Sequence, residues 1–180
     1  MFKFFSKSFK QPVANSEPDC LDSYIDNSGM VFHEEVDDIG VTPTLKNNFK
    51  KKIKHEEGCE LSLYKCSENY STIGYGRNIE LNGIRQAEAD FMLENDIENV
   101  FLDLDRNIPM WKFEPMNIRI VLCDMCYNLG IKKLLKFKFF LEAVEEADYQ
   151  TASEEILDSK YSSQVPNRAK RNALLCLEEV

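Results

Sequence analysis

Three side chains in one short stretch can do chemistry: the carboxyl of Glu57, the thiol of Cys66 and the hydroxyl of Thr72. Eight residues separate the first pair and five the second. A carboxyl group can give or take a proton, a thiolate can act as base or nucleophile, and a hydroxyl can orient water. An ordinary thiol ionises near pH ~8.5, so Cys66 needs its pKa lowered to serve as a thiolate at neutral pH. His55 could pair with Cys66 as a base. It lies on the preceding helix, however, and no third side chain that would orient it is apparent.

The surrounding sequence has to hold these groups. Thr42-Pro43-Thr44 is a helix start signal, and Leu45, Phe49 and Ile53 recur every fourth residue behind it. That stripe runs on towards Glu57, where an apolar wall would raise the carboxyl pKa. Gly58 is a natural stop. Leu61 and Leu63 then alternate with Ser62 and Tyr64, as in a half-buried strand, and Ser67-Glu68-Asn69 turns the chain into a second strand, Tyr70 to Gly74. The period of two places Cys66 on the face of Ser62 and Tyr64, and Thr72 on that of Tyr70. Gly74 and Gly76 permit close approach of backbone or ligand.

Further on, Ala87, Phe91, Ile97, Phe101 and Leu104 describe an amphipathic helix from Ile84 to about Leu104, a candidate link between two lobes. Met116 to Leu129 is apolar on most sides and stops at Gly130, as a buried central helix does. Helices over 133–146, 150–159 and 167–178 follow, the last introduced by Pro166. Strands and helices occupy separate regions, which predicts an α+β protein with a ligand cleft between a small sheet lobe and a helical lobe. Residues 11–40 carry prolines and acidic pairs without sustained period, with a short strand or turn around Met30 to His33. Residues 1–44 are thus expected to be a flexible acidic arm and 45–180 the folded domain.

Bulk properties narrow the function. A net charge of −9 over 180 residues speaks against nucleic-acid binding, which needs a basic footprint. No apolar run could cross a bilayer. Met1 to Lys10 mixes four Phe with three Lys and lacks secretory features, so synthesis and folding in a cytoplasm are expected; lying on a membrane surface is a weaker reading of that segment. The six cysteines read as free thiols. Cys123 and Cys126 have Cys-x-x-Cys spacing but fall in an apolar helix, so they read as core thiols rather than metal ligands. With only His33 and His55 besides, no metal centre is expected, and no cofactor.

Taken together, Glu57-Gly58, Cys66 and Thr72-Ile73-Gly74-Tyr75-Gly76 resemble the catalytic signature of the phage-type lysozymes, muramidases in which the middle position is aspartate or cysteine. The resemblance continues through Arg77-Asn78, Asn82-Gly83-Ile84, Asn128-Leu129-Gly130 and Val165-Pro166-Asn167-Arg168-Ala169-Lys170-Arg171, covering 45–180. It implies a lysozyme-like fold, a β-hairpin lobe joined by a long helix to a mainly helical lobe. It also implies cleavage of the β-1,4 bond between N-acetylmuramic acid and N-acetylglucosamine in peptidoglycan.

In that reading Glu57 is the general acid. Cys66, in the aspartate's place, is a base towards water or a nucleophile, and Thr72 orients the water. Arg168 is expected either to pair with Glu57 or to be a surface charge, while Lys170 and Arg171 read as surface charges. Asn128 reads as a sugar-binding amide or a helix cap. Arg77 stands where many members have histidine, so the hydrogen bond beneath the hairpin has to be made differently. The expected biology is that of a monomeric endolysin, made in the host cytoplasm and reaching the periplasm once a separate holin opens the membrane. A tail-associated enzyme, a wall-binding protein without turnover, and an amidase using Cys66 and His55 are the alternatives.

Overall fold

The computed structural model describes residues 23–25, 31–33 and 39–178, so most of the expected arm, Cys20 and the Phe/Lys-rich start lie outside the described residues. Two short strands, β1 (Ser23–Ile25) and β2 (Val31–His33), pair antiparallel with Tyr24 opposite Phe32, in agreement with the strand expected near His33. The chain divides into two units, Met1–Gly83 and Ile84–Val180.

In the first unit, helix α1 spans Pro43–Glu57. Thr42 caps it: its hydroxyl accepts from the Leu45 amide at 3.1 Å, and Pro43 occupies the first turn where a missing N–H costs nothing. Gly58, at φ 66°, ends it in a conformation that a side chain would strain. The expected apolar wall along this helix is not found, since none of its residues is buried and Phe49 is 60% exposed. The three apolar residues form a narrow stripe flanked by Lys46, Lys50 and Lys54. Tyr75 comes up to them, lining with Phe49 and Ile53 a hollow of about 340 Å³, with the Lys54 ammonium 5.5 Å above its ring.

The hairpin is present and gains a third strand. β3 (Glu60–Lys65), β4 (Ser71–Gly74) and β5 (Arg77–Asn78) form an antiparallel sheet in that order. Tyr64 faces Thr72, and Thr72 in turn faces Asn78. The half-buried alternation expected of β3 fails, because every residue of that strand is exposed, Leu61 at 84%. β3 is an edge strand, and its pairing with β4 is irregular between Glu60 and Tyr64, so one neighbour screens it imperfectly. Burial falls instead on the central strand, at Thr72. A one-turn helix, α2 (Ile79–Asn82), capped by the Asn78 side chain, closes the unit.

The second unit is helical: α3 (Gln86–Asn107), a 3-10 turn (Pro109–Phe113), α4 (Met116–Leu129), α5 (Ile131–Leu134), α6 (Lys138–Glu145), α7 (Tyr149–Leu157), α8 (Lys160–Gln164) and α9 (Pro166–Cys176). As expected, α4 is central, burying Ile118, Val121, Leu122, Met125 and Cys126. Cys126 is buried and Cys123 half-buried, both as free thiols, and burial pushes Cys126 up to about 11. Phe140, Val144, Ile156, Ala169 and Ala173 from α6, α7 and α9 complete the core around α4. α3 starts two residues later and ends about three residues later than expected, and it buries only Leu104, leaving Phe91 69% exposed. The helix expected over 133–146 is two helices, broken where the amides of Lys136 and Phe137 bond three residues back and Phe137 leaves helical geometry at ψ 60°. α8, started by the Ser159 hydroxyl, has no counterpart in the sequence expectation.

Candidate active site

The turn after β3 builds the surroundings of Cys66. Its amide donates to the Tyr70 carbonyl at 3.1 Å, and its carbonyl accepts from Asn69 at 2.8 Å. Asn69 takes the left-handed conformation (φ 64°) that a tight turn requires and asparagine tolerates. The turn thereby points the Glu68 amide, and after it the Tyr70 amide, at the sulfur. These donors, with a smaller contribution from the Thr72 hydroxyl, hold the thiol pKa below its ordinary value against the opposing effects of burial and the Glu68 charge. The sheet register has brought Thr72 across to the thiol. The Thr72 hydroxyl has a single proton, given to the Tyr70 carbonyl at 3.2 Å, so it can turn to the sulfur only by releasing that bond.

Glu57 is exposed at the last residue of α1. One of its carboxylate oxygens lies 3.6 Å from where a Cβ on Gly76 would stand, so the helix end and the turn between β4 and β5 meet here. Gly74 and Gly76, both at positive φ, provide that turn. Arg77, where many family members have histidine, sends its Nε–H to the Gly83 carbonyl at 3.0 Å and ties β5 to the end of α2. His55 is exposed on α1.

Asn128 and Arg168 belong to the helical unit. Asn128 is exposed one residue before the end of α4, and Gly130, whose amide bonds the Cys126 carbonyl, ends that helix. Arg168, in the first turn of α9, is half-buried against Asp124 of α4. Its Nε donates to one carboxylate oxygen at 2.8 Å and its Nη2 to the other at 2.6 Å. Lys170 and Arg171 are exposed, as expected of surface charges.

Sequence reasoning missed Asp124 as the partner of Arg168. Burial would raise its pKa, but hydrogen bonds from Arg168 and Asn172 and the charges of Arg168 and Arg171 hold it below the usual carboxylate value. Asn172, 5% exposed, donates to the same carboxylate at 2.7 Å and reaches the Tyr161 hydroxyl at 3.3 Å. The signal was a lone acid between Val121 and Cys126 in a strongly apolar, buried helix, where an ionised group needs a partner.

A carboxyl at a helix end, a thiol in the turn and a hydroxyl on the central strand of a three-stranded antiparallel sheet, and a mainly helical second unit define a lysozyme-like α+β protein. The model of the phage lysozyme family matches residues 54–173, and the chain belongs to that family. It is accordingly a lysozyme-like peptidoglycan hydrolase. It is 26% identical over 154 residues to "Probable T4-type lysozyme 1" of Dictyostelium discoideum, covering 69% of this chain and 91% of that protein. An endolysin of Acyrthosiphon pisum secondary endosymbiont phage 1 is 29% identical over 110 residues, 58% of this chain and 72% of the relative. The pre-baseplate central spike protein Gp5 of Enterobacteria phage T4 is 24% identical over 153 residues, 69% of this chain and 27% of that longer protein.

Proposed function

We propose that the chain is an N-acetylmuramidase that cleaves the β-1,4 bond between N-acetylmuramic acid and N-acetylglucosamine. The observation that carries the reading is the turn after β3, which sets a thiol of lowered pKa beside the Thr72 hydroxyl in the unit that carries Glu57. Glu57 gives its proton to the glycosidic oxygen, and the leaving sugar departs as an alcohol. The Cys66 thiolate takes a proton from water held by Thr72, and that water attacks the anomeric carbon. Each turnover consumes one water and returns both groups to their starting states once Glu57 regains the proton from Cys66 through solvent. Asn128 and Arg168 donate hydrogen bonds to sugar hydroxyl or N-acetyl oxygens. No metal or cofactor takes part in this scheme.

The biological setting proposed is host lysis by an endolysin acting as a monomer, made in the host cytoplasm and admitted to the periplasm by a separate holin. The similarity to a phage endolysin supports it.

The test is product analysis on purified peptidoglycan. New reducing ends with inverted anomeric configuration are expected. Retained configuration would reassign Cys66 as a nucleophile, and new free amines in place of reducing ends would overturn the muramidase reading. Glu57→Gln should abolish hydrolysis with the fold intact, Cys66→Asp should keep appreciable activity, and Cys66→Ala should lose most of it. Full activity of Glu57→Gln sinks the mechanism.

A further inference from the structure

We infer that Asp124 is a positioning residue for substrate binding, acting through Arg168; the inference rests on the muramidase reading above. Three observations within the helical unit carry it. First, the contact is a two-point fork, at 2.8 and 2.6 Å, which fixes the plane of the guanidinium as well as its place. Second, the carboxylate is itself fixed from behind: the buried Asn172 amide donates to it at 2.7 Å and is steadied by the Tyr161 hydroxyl, a residue only 2% exposed. Third, Asp124, Arg168 and Tyr127 are polar members of an open groove of about 670 Å³ whose lining is otherwise mainly apolar, with Phe101, Trp111 and Ile120 among it, so the fork stands at a surface where a ligand can reach it.

The chemistry of the pair also sets what it recognises. Asp124 is held ionised by its hydrogen bonds, so the pair is formally neutral and its attraction for an anion is cancelled at close range. The guanidinium N–H groups not used on Asp124 remain hydrogen-bond donors. Arg168 therefore reads neutral oxygen, the hydroxyl and N-acetyl groups of the glycan, in preference to the carboxylates of the peptide stems. Asp124 creates that preference by orienting the fork and by neutralising it.

Steady-state kinetics on soluble, uncrosslinked peptidoglycan, with the melting temperature of each variant recorded alongside, test the inference. Asp124→Ala should raise KM about tenfold with kcat within about twofold, and should make KM more sensitive to salt by leaving Arg168 a bare cation. In an Arg168→Ala background the same change should raise KM no further. Asp124→Asn, which keeps an acceptor oxygen and the volume, should fall between, and it carries the test if the alanine variant does not fold.

A lowered melting temperature with unchanged KM in these variants overturns the positioning role, as do independent effects of the two substitutions on KM. Wild-type protein that releases no reducing ends defeats the muramidase reading and this inference with it. Active wild type with unmoved KM in the variants defeats this inference alone.

Discussion

At the residue level the decisive group is the Cys66 thiol. The amide donors of Glu68 and Tyr70 come from the backbone, so its pKa is set by the fold of the turn, while the Glu68 carboxylate works against them. Backbone and side chain of one residue therefore act in opposite directions, and substitution can separate them. The rate of Cys66 alkylation by iodoacetamide, followed by peptide mass spectrometry across pH, should show a lower midpoint in the folded chain than in the urea-unfolded chain. Glu68→Gln should lower the folded midpoint further, because the opposing charge goes while the amide stays. Thr72→Val should raise it, since a stabilising hydroxyl is lost. A folded midpoint at or above the unfolded one would contradict the lowering on which the proposed base role depends. The sequence showed that Cys66 needed such help and that the hairpin was near, because both facts are local. It could not show the donors, which depend on how a turn of this kind closes.

Between elements, the fork from Arg168 to Asp124 pins α9 to α4, with Asn172 one turn further along α9 supporting the same carboxylate. Its stability contribution has a definite pH dependence. The folded-state pKa of Asp124 is depressed, so the unfolded chain takes up the proton first as pH falls. The contribution is then fully present above the ordinary carboxylate pKa, near ~3.9, and is lost as pH drops through the lowered folded value. Chemical denaturation at pH 7 should find wild type more stable than Asp124→Asn. The gap should close towards pH 2.5, and a gap that stayed constant would show that the charge is not what the clamp uses. Element boundaries divide along the same line between local and non-local causes. The starts at Thr42 and Pro166 and the stops at Gly58 and Gly130 were legible, because each is decided by one residue's own backbone preference. The break between α5 and α6 was not, since no Gly or Pro marks it and the chain bends there through Leu135 to Phe137 in bonds a helix-period pattern does not reveal.

For the molecule as a whole, the α+β class was readable because strands and helices fall in separate blocks of sequence. Glu57, Cys66 and Thr72 were readable as a set because one helix end and one hairpin contain all three. The pairing of Asp124 with Arg168 was not, because it joins residues 44 apart on two helices whose packing the sequence pattern alone does not specify. The distribution of burial was also only partly foreseen. The apolar stripe of α1 and the alternation of β3 suggested a share of core in the first unit, yet every buried hydrophobic side chain among the described residues lies from Leu104 to Cys176. Among the described residues of the first unit, those buried are Thr42 and Thr72, one a helix cap and the other the central-strand hydroxyl. Local opening costs least where little apolar surface is exposed by it, so protection from hydrogen exchange should be uneven along the chain. Amides of α4, α6, α7 and α9 should exchange slowest, and those of α1 and β3 orders of magnitude faster at the same pH and temperature. Leu122→Ala, at a fully buried position of α4, should cost about 2–5 kcal/mol and speed exchange throughout the helical unit. Exchange in α1 and β3 already governed by local opening should barely change, because a global penalty alters only those amides whose exchange requires global unfolding. Peptide-resolved exchange measured by mass spectrometry on both proteins checks this. Equal protection in α1 and α4 of the wild type would show that the two units open as one, and that the buried side chains of the second unit stabilise the first as well.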